Sequence, residues 1–342
     1  MRQLLLERSR LPLGRALEQV AGLQTQYAPA AYVNLWTRLD RFARDDLTRA
    51  LERKRAVQGT LMRSTIHVVS ARDWWPFAAG VGPSREQWWV RAHRQQASEA
   101  ELRTAGARLR AELAGRVWHR KELDELLRSH GSSIWQGAWV PLVRVPPSGT
   151  WERRRADLFR LAEEWVGPSD ADEEAGLEHL LRRYLGGFGP ARLADAADWA
   201  GVPVTKLKPA AERLQLRRFR DEQGKELLDL PRAPLPSAET PAPVRFLPVW
   251  DATLLVHARR TQILPEAYRP LIFNTKTPHS FNTFLVDGRV AGTWRVQRDG
   301  ARARLELRPF DRLPRGAHAE LADEGGRLLR FHEPDAERYS VG

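Results

Sequence analysis

Cysteine is missing altogether from the 342 residues. That removes disulfides, thiol nucleophiles and cysteine-ligated zinc from consideration. Lysine is scarce: Lys54, Lys121, Lys206, Lys208, Lys225 and Lys276 are the only ones among 55 basic residues. No stretch approaches the roughly 20 uncharged apolar residues that a membrane helix requires. The apolar run Leu4-Leu5-Leu6 is cut off by Glu7 and Arg8, so it does not read as a signal peptide. A cytoplasmic protein with no membrane association is the simplest expectation. No GxxxxGK[ST] loop is present, and Gly186-Gly187-Phe188-Gly189 lies between helices rather than after a strand, which leaves nucleotide binding unsupported. A GxSxG elbow is also lacking. The nine histidines (His67, His93, His119, His130, His179, His257, His279, His318 and His332) never approach one another at ligand spacing, so neither a metal site nor a cofactor is expected.

What the chain does have is apolar substance, 42% hydrophobic residues with 13 Trp and 11 Phe, enough for real cores over two to four packed units. It also carries a net charge of +12. Such a surplus attracts polyanions, because neutralised phosphates release counterions. A coding bias toward arginine produces the same surplus, so charge favours a nucleic-acid partner only in part.

Two segments read as linkers, the acidic stretch Val166–Glu174 and the proline-rich run with Pro231, Pro234, Pro236, Pro241 and Pro243. The block between them is the most legible. Leu177, Leu180, Leu181 and Tyr184 recur at helical spacing, and Gly186-Gly187 is expected to end that helix. A short helix then stops at Gly201, and a basic helix follows from about Pro203 to Leu214. Helix, glycine turn, basic helix is the helix-turn-helix pattern, and two short strands around Asp221-Glu222-Gln223-Gly224 would form its wing. The N-terminal block repeats this plan twice. Helices near 13–21 and 45–54 precede strands Val57–Met62 and Ser64–Val69. Helices near 85–96, 98–113 and 119–129 precede Trp139–Val145 and a Pro146-Pro147-Ser148-Gly149 turn. After residue 245 the period switches to two, with Asp287-Gly288 and Asp299-Gly300 between the strands of a meander. The expected fold is α+β: three tandem winged helix-turn-helix units at 1–80, 81–165 and 175–230, a linker at 231–244, and a small antiparallel sheet or barrel at 245–342.

The stretch Gly22-Leu23-Gln24-Thr25-Gln26-Tyr27-Ala28-Pro29 stands out. Gly22 is expected to end a helix, and Pro29 to push Ala28 out of helical geometry. Between them an extended backbone would present Gln24 and Gln26 on one side. Each amide offers donors and an acceptor, enough to hold a water without charging it. Two glutamines in a loop are ordinarily just solvated polar residues, and both readings stand on these residues alone.

Leu23-Gln24-Thr25-Gln26 followed by Leu35-Trp36-Thr37-Arg38-Leu39 resembles the Gln–aliphatic–Gln signature of the AlkZ-like DNA glycosylases. Gly59–Val69 resembles that family's first hairpin, and Leu181-Arg182-Arg183-Tyr184 with Phe188-Gly189-Pro190-Ala191 its later winged helix. Trp250–Leu255 and Val286–Trp294 are similar to its C-terminal part, in collinear order over nearly the whole chain. One departure is Thr25, where the family usually places an aliphatic residue. The resemblance implies a monofunctional glycosylase, active on double-stranded DNA bearing N7-alkylated purines, bulky adducts and crosslinks included, of the kind that gives resistance to a DNA-alkylating toxin. Such a base already carries positive charge and leaves neutral, so no strong general acid is needed. Gln24 and Gln26 would place a water against C1′ and stabilise an oxocarbenium-like transition state. A bulky adduct is hard to extrude, so a hairpin wedged into a groove is expected in place of base flipping.

Asn34 and His67 are candidates for support of the site. His67 alternates with Ile66 and Val68, which favours a structural role. Candidate DNA contacts are Arg63, Arg153, Arg154 and Arg155, Arg259 and Arg260, and Lys206, Lys208 and Arg213; plain solvent exposure is the alternative reading for the last three. No heptad or long apolar helix suggests a dimer, and a monomer wrapping one duplex is expected. The rival class is a winged-helix transcription regulator, which would bind undamaged DNA tightly and sequence-specifically.

Overall fold

The structure is a computed structural model that describes residues 1–129, 139–255, 261–273 and 280–342. The chain opens with α1 (Leu13–Gln19), β1 (Leu23–Gln24), α2 (Ala28–Arg38), α3 (Arg44–Glu52), β2 (Ala56–Thr60) and β3 (Ile66–Ser70). A long helix, α4 (Ala71–His93), leads to α5 (Glu99–Leu113), β4 (Trp118–His119), α6 (Arg120–Ser129), β5 (Leu142–Arg144), β6 (Leu158–Leu161) and α7 (Ala162–Trp165). A third helical unit holds α8 (Glu173–Phe188), α9 (Leu193–Ala200), α10 (Val204–Arg213), β7 (Arg217–Arg220) and β8 (Glu226–Asp229). The C-terminal part contains β9 (Arg245–Leu247), α11 (Arg269–Ile272), β10 (Thr283–Val286), β11 (Arg289–Asp299), β12 (Arg302–Pro309), α12 (Ala317–His332) and β13 (Arg338–Val341).

The first two units share one topology. In each, a two-residue strand pairs with the unit's last strand, giving the local orders β1-β3-β2 and β4-β6-β5. Pairing of β2 with β5 (Gln58 opposite Arg144, Gly59 opposite Val143) fuses them into one six-stranded sheet. The third unit keeps its hairpin β7–β8 apart, and an isolated bridge between Ala191 and Leu228 takes the place of the short strand.

Helix signals in the sequence are met by physical partners. Ser98 and Glu101 form a capping box at the start of α5. Asp172 caps α8 by accepting the Ala175 N–H at 2.8 Å. Gly201, at φ +76°, closes α9 in the left-handed conformation. Gly186-Gly187 does not end α8, which runs on to Phe188. Gly187 serves close packing instead: a Cβ there would stand 3.1 Å from the Gln19 carbonyl at the end of α1. The helix expected from residue 85 begins at Ala71, with the Ser70 hydroxyl as its cap, so the boundary expected at 80/81 falls inside α4.

The second unit has a small core of its own, with Leu109, Leu113, Trp118, Leu123, Leu127 and Leu161, whereas the first and third units share theirs with other parts of the chain. Residues of α1, α2 and α3 pack with Phe246, Phe284, Trp294, Leu305, Leu328 and Leu329 of the C-terminal part in one cluster. Val57 and Val69 of the first sheet, Trp74 and Phe77 of α4, and the third unit form another. The C-terminal sheet is open, not a barrel, in the order β13-β12-β11-β10-β9. Its last pair is parallel, contrary to the antiparallel expectation, because α12 carries the chain back across the sheet before β13 is laid down.

Helices α4 and α8 cross at bare backbone. A Cβ on Gly176 would lie 2.5 Å from the Gly80 amide nitrogen and 2.6 Å from the Pro76 carbonyl, so the axes can approach only as glycines. Beside the crossing, buried Asp73 pairs with His179 at 2.7 Å and Arg183 at 2.8 Å. Gly176→Ala is expected to destabilise the fold by about 1–3 kcal/mol through overpacking, read as a lower urea midpoint; an unchanged midpoint would show that the helices can part without loss.

Candidate active site

The stretch with the two glutamines begins where α1 ends. The Gly22 N–H reaches back to the Leu17 carbonyl at 2.8 Å, with Ala21 and Gly22 both at positive φ. Only glycine fits at 22, since a Cβ there would lie 2.8 Å from Val69 Cγ1. The chain then enters β1, with Leu23 opposite Val68 and Gln24 opposite His67. The Thr25 N–H extends the pairing to the Ile66 carbonyl at 2.8 Å. Thr25 is wholly buried, and its hydroxyl lies 3.3 Å from the Tyr27 carbonyl and 3.4 Å from that of Ala28. A hydroxyl where the family usually has an aliphatic group therefore meets acceptors of its own loop. Ala28 is not excluded from helical geometry: it opens α2, with Pro29 in the first turn, where its missing N–H breaks no bond.

Gln24 is buried and Gln26 is exposed, yet both amide oxygens accept from the hairpin of β2 and β3. Arg63 Nη2 donates to Gln24 Oε1 at 2.8 Å, and the Ile66 N–H donates to Gln26 Oε1 at 3.3 Å. Both donors lack acceptor capacity, so each carboxamide has its oxygen turned to the hairpin and its NH2 group directed elsewhere. Among the described residues no carboxylate bonds either amide. Arg63, expected on a DNA-facing surface, is instead turned inward: Nη1 donates to the Trp199 carbonyl at the end of α9. Its burial lowers its pKa to about 10, which leaves it charged at neutral pH.

His67 stands beside Gln24 in the ladder and is almost fully buried. Its Nδ1 lies 3.0 Å from the Thr65 carbonyl, so that nitrogen carries the proton. Burial, and then the neighbouring charge of Arg63, push the His67 pKa from the ordinary 6.5 down to about 3. Asn34 lies one element away on α2, buried, with Oδ1 accepting from Arg38 Nη1 at 2.5 Å. Arg38 in turn pairs with Asp251 at 2.9 Å, so this network fastens α2 to the segment that follows β9.

Beyond Gln26 the loop meets the second unit. Arg154 Nη1 donates to the Tyr27 hydroxyl at 2.9 Å, and the Arg154 guanidinium lies 5.4 Å from the Trp151 ring. Arg155 is exposed next to it, while Arg153 pairs with Asp157 at 2.7 Å. These three arginines sit on the connection between β5 and β6, a long loop that opens with the turn expected at 146–149. In the third unit Lys206 pairs with Glu173 at 3.0 Å and Arg213 with Glu174 at 2.9 Å; Lys208 is exposed. Arg259 and Arg260, like His130, His257 and His279, lie outside the described residues. Among the described residues no group of three His, Asp or Glu is arranged to hold a metal ion, and no helix is long and apolar enough to cross a membrane. Sequence reasoning missed Tyr27, although it adjoins Gln26, and missed Trp199 and Asp251. The partners of these two are 136 and 213 residues away, and no local pattern announces such contacts.

The depressed His67 pKa sets a direction for stability. The unfolded chain takes up a proton below about pH 6.5, whereas folded His67 stays neutral until about pH 3. This histidine therefore subtracts from stability as pH falls through that window, by up to about 1.4 kcal/mol per pH unit. His67→Gln should show a shallower loss of stability than wild type between pH 6 and 4 in urea titrations; identical slopes would mean that His67 protonates in the fold.

With that geometry in hand, comparison places the chain among known proteins. No curated protein matches the sequence. A DNA glycosylase, AlkZ of Streptomyces sahachiroi, has a similar solved structure, with a TM-score of 0.80 and 19% identity over 100% of this chain and 96% of that one. At that identity the likeness shows the fold. The family model for AlkZ-like DNA glycosylases matches residues 17–331, a span that includes both glutamines, the hairpin they bond and four of the five C-terminal strands, and the chain therefore belongs to the AlkZ-like DNA glycosylase family.

Proposed function

We propose that this DNA glycosylase is a cytoplasmic monomer that hydrolyses the N-glycosidic bond of N7-alkylated purines in duplex DNA, with Gln24 and Gln26 at its catalytic centre. Three winged-helix units, at residues 13–70, 99–161 and 173–229, would form the surface that meets the duplex. The recurring strand order of the first two units and the helix-turn-helix and hairpin of the third support that reading. The observation that carries the catalytic reading is the pair of uncharged carboxamides, two residues apart, both anchored through their oxygens to the same hairpin.

That chemistry suits a cationic leaving base. In the reaction the C1′–N9 bond breaks and its electron pair moves onto the base, neutralising the charge placed there by N7 alkylation. A water oxygen bonds to C1′ and gives its proton to solvent, leaving an abasic sugar and a neutral alkylated purine. No acid has to protonate the leaving group. The carboxamides contribute by position and dipole: an NH2 group steadies the water oxygen, and the remaining lone pair of an amide oxygen accepts one of its protons. A neutral His67 fits this scheme, since an imidazolium beside C1′ would oppose the developing oxocarbenium charge. Asn34, bonded within the core through Arg38, supports α2 and stands back from the reacting atoms.

For the duplex, Arg154 and Arg155 are the basic residues best placed to grip phosphate near Gln26, with Lys208 on α10 as a further contact. Arg153, Lys206 and Arg213 are each engaged with a carboxylate of the protein and would contribute less. A bulky adduct is accommodated without extrusion if a hairpin wedges the groove open.

Purified protein incubated with duplex carrying N7-methylguanine, then heated in alkali, should give strand scission at the lesion. Gln24→Ala and Gln26→Ala should each slow excision by about 100-fold, with binding to undamaged duplex unchanged. Absence of scission on N7-methylguanine, a bulky N7 adduct and a crosslink alike would overturn the reading and bring forward a regulator that binds undamaged DNA.

A further inference from the structure

We propose that Arg63 is a positioning residue of the reaction, one guanidinium that both sets the Gln24 carboxamide and fastens it to the third helical unit. The inference rests on the glycosylase reading above and adds to it a residue that touches neither water nor sugar. Its first support is direct geometry. Arg63 Nη2 donates to Gln24 Oε1 at 2.8 Å, and a guanidinium has donors only, so one of the two flips of the carboxamide is excluded. A free amide would sample both, and in the wrong one it would present oxygen where the water needs a donor.

The second support is the far end of the fork. Nη1 donates to the carbonyl of Trp199 in the last turn of α9, where the helix dipole places negative potential. Trp199 is itself immobilised: it is buried, with Phe77 6.0 Å and Tyr184 5.4 Å from it between ring centroids. Gln24 therefore takes its orientation from the core of the third unit across a single side chain.

The backbone gives a third, independent line. Arg63 and Ser64 both hold left-handed φ values, 52° and 56°, in a turn without glycine. Such conformations persist where surrounding contacts over-determine them. Here Gly201 closes on the same residue, and a Cβ at 201 would lie 2.9 Å from both Arg63 N and Cα. The glycine that ends α9 is thus also the surface against which the Arg63 backbone is set. A phosphate contact requires the opposite arrangement, a guanidinium free in solvent. Lysine cannot substitute, because a single ammonium does not offer two donors in a fixed fork.

The test uses the whole protein and a duplex with one N7-methylguanine, at saturating enzyme, under single-turnover conditions. Arg63→Met should slow excision roughly 10- to 100-fold while leaving the Kd for the duplex and its salt dependence as in wild type. Arg63→Lys should retain most of the defect. On a Gln24→Ala background, removal of Arg63 should have no further effect. Three outcomes would overturn the proposal: an unchanged rate in Arg63→Met, losses that multiply with Gln24→Ala, or a raised Kd with a shallower salt dependence, the mark of a phosphate contact. If Arg63→Met fails to fold, as judged by circular dichroism, Arg63→Lys carries the same comparison. If the wild type excises no N7 lesion, the glycosylase reading falls separately. Arg63 is then judged by the side-chain 15N–1H signals of Gln24, identified by their loss in Gln24→Ala; an unmoved pair in Arg63→Met would sink its assigned role.

Discussion

The backbone pairing of Gly59 with Val143 joins two three-stranded sheets into one, and the rest of the molecule is arranged around that junction. The pairing needs a glycine on its first strand. A Cβ at 59 would stand 2.9 Å from the Leu142 carbonyl and would collide with the ring of Trp74 from α4. With the glycine in place, α4 can lie against the sheet and carry the third unit on its far side, fixed by the Gly80–Gly176 crossing. Gly59 pairs with His67, which pairs with Gln24, so the same row of the sheet that joins the first two units also ends at the glutamine.

Beside that row the cation that touches Gln24, Arg63, meets its amide oxygen. Burial holds His67 neutral over the physiological range, and the nearby Arg63 charge adds to that effect. Arg63 remains a cation but spends its donors on one amide oxygen and one helix-terminal carbonyl. A site of this kind has little capacity to protonate a leaving group. In the proposed reaction the departing base already bears the charge, and enzyme groups act by placement and dipole.

The basic surplus of the chain is a poor map of its nucleic-acid surface. Many arginines are committed inside the fold: Arg2 to Asp229, Arg38 to Asp251, Arg183 to Asp73. These pairs join segments far apart in sequence, each with a carboxylate that is almost wholly buried. Arg63 belongs with them, although its place in a hairpin turn reads as exposed when the sequence is taken alone. Arg154 and Arg155 keep the reach toward solvent that a phosphate contact demands.

Local chemistry was enough to read much of this protein from its residues. The glycine stop at 201, the turn at 221–224 and the Asp-Gly hairpins all act over a few residues, and each appears where the sequence places it. The extended course of Gln24 and Thr25 follows in the same way from Gly22. Tertiary structure decided what depends on distant partners. Gly187 stays within α8 with the end of α1 packed against it, a contact no periodicity contains. Helix α12 and the parallel strand β13 follow from a sheet that must be covered on one face. Which arginine faces solvent and which holds a glutamine was fixed only when Trp199, 136 residues further on, came to lie beside Arg63. The glutamine pair is legible as sequence; its orientation exists only in the fold.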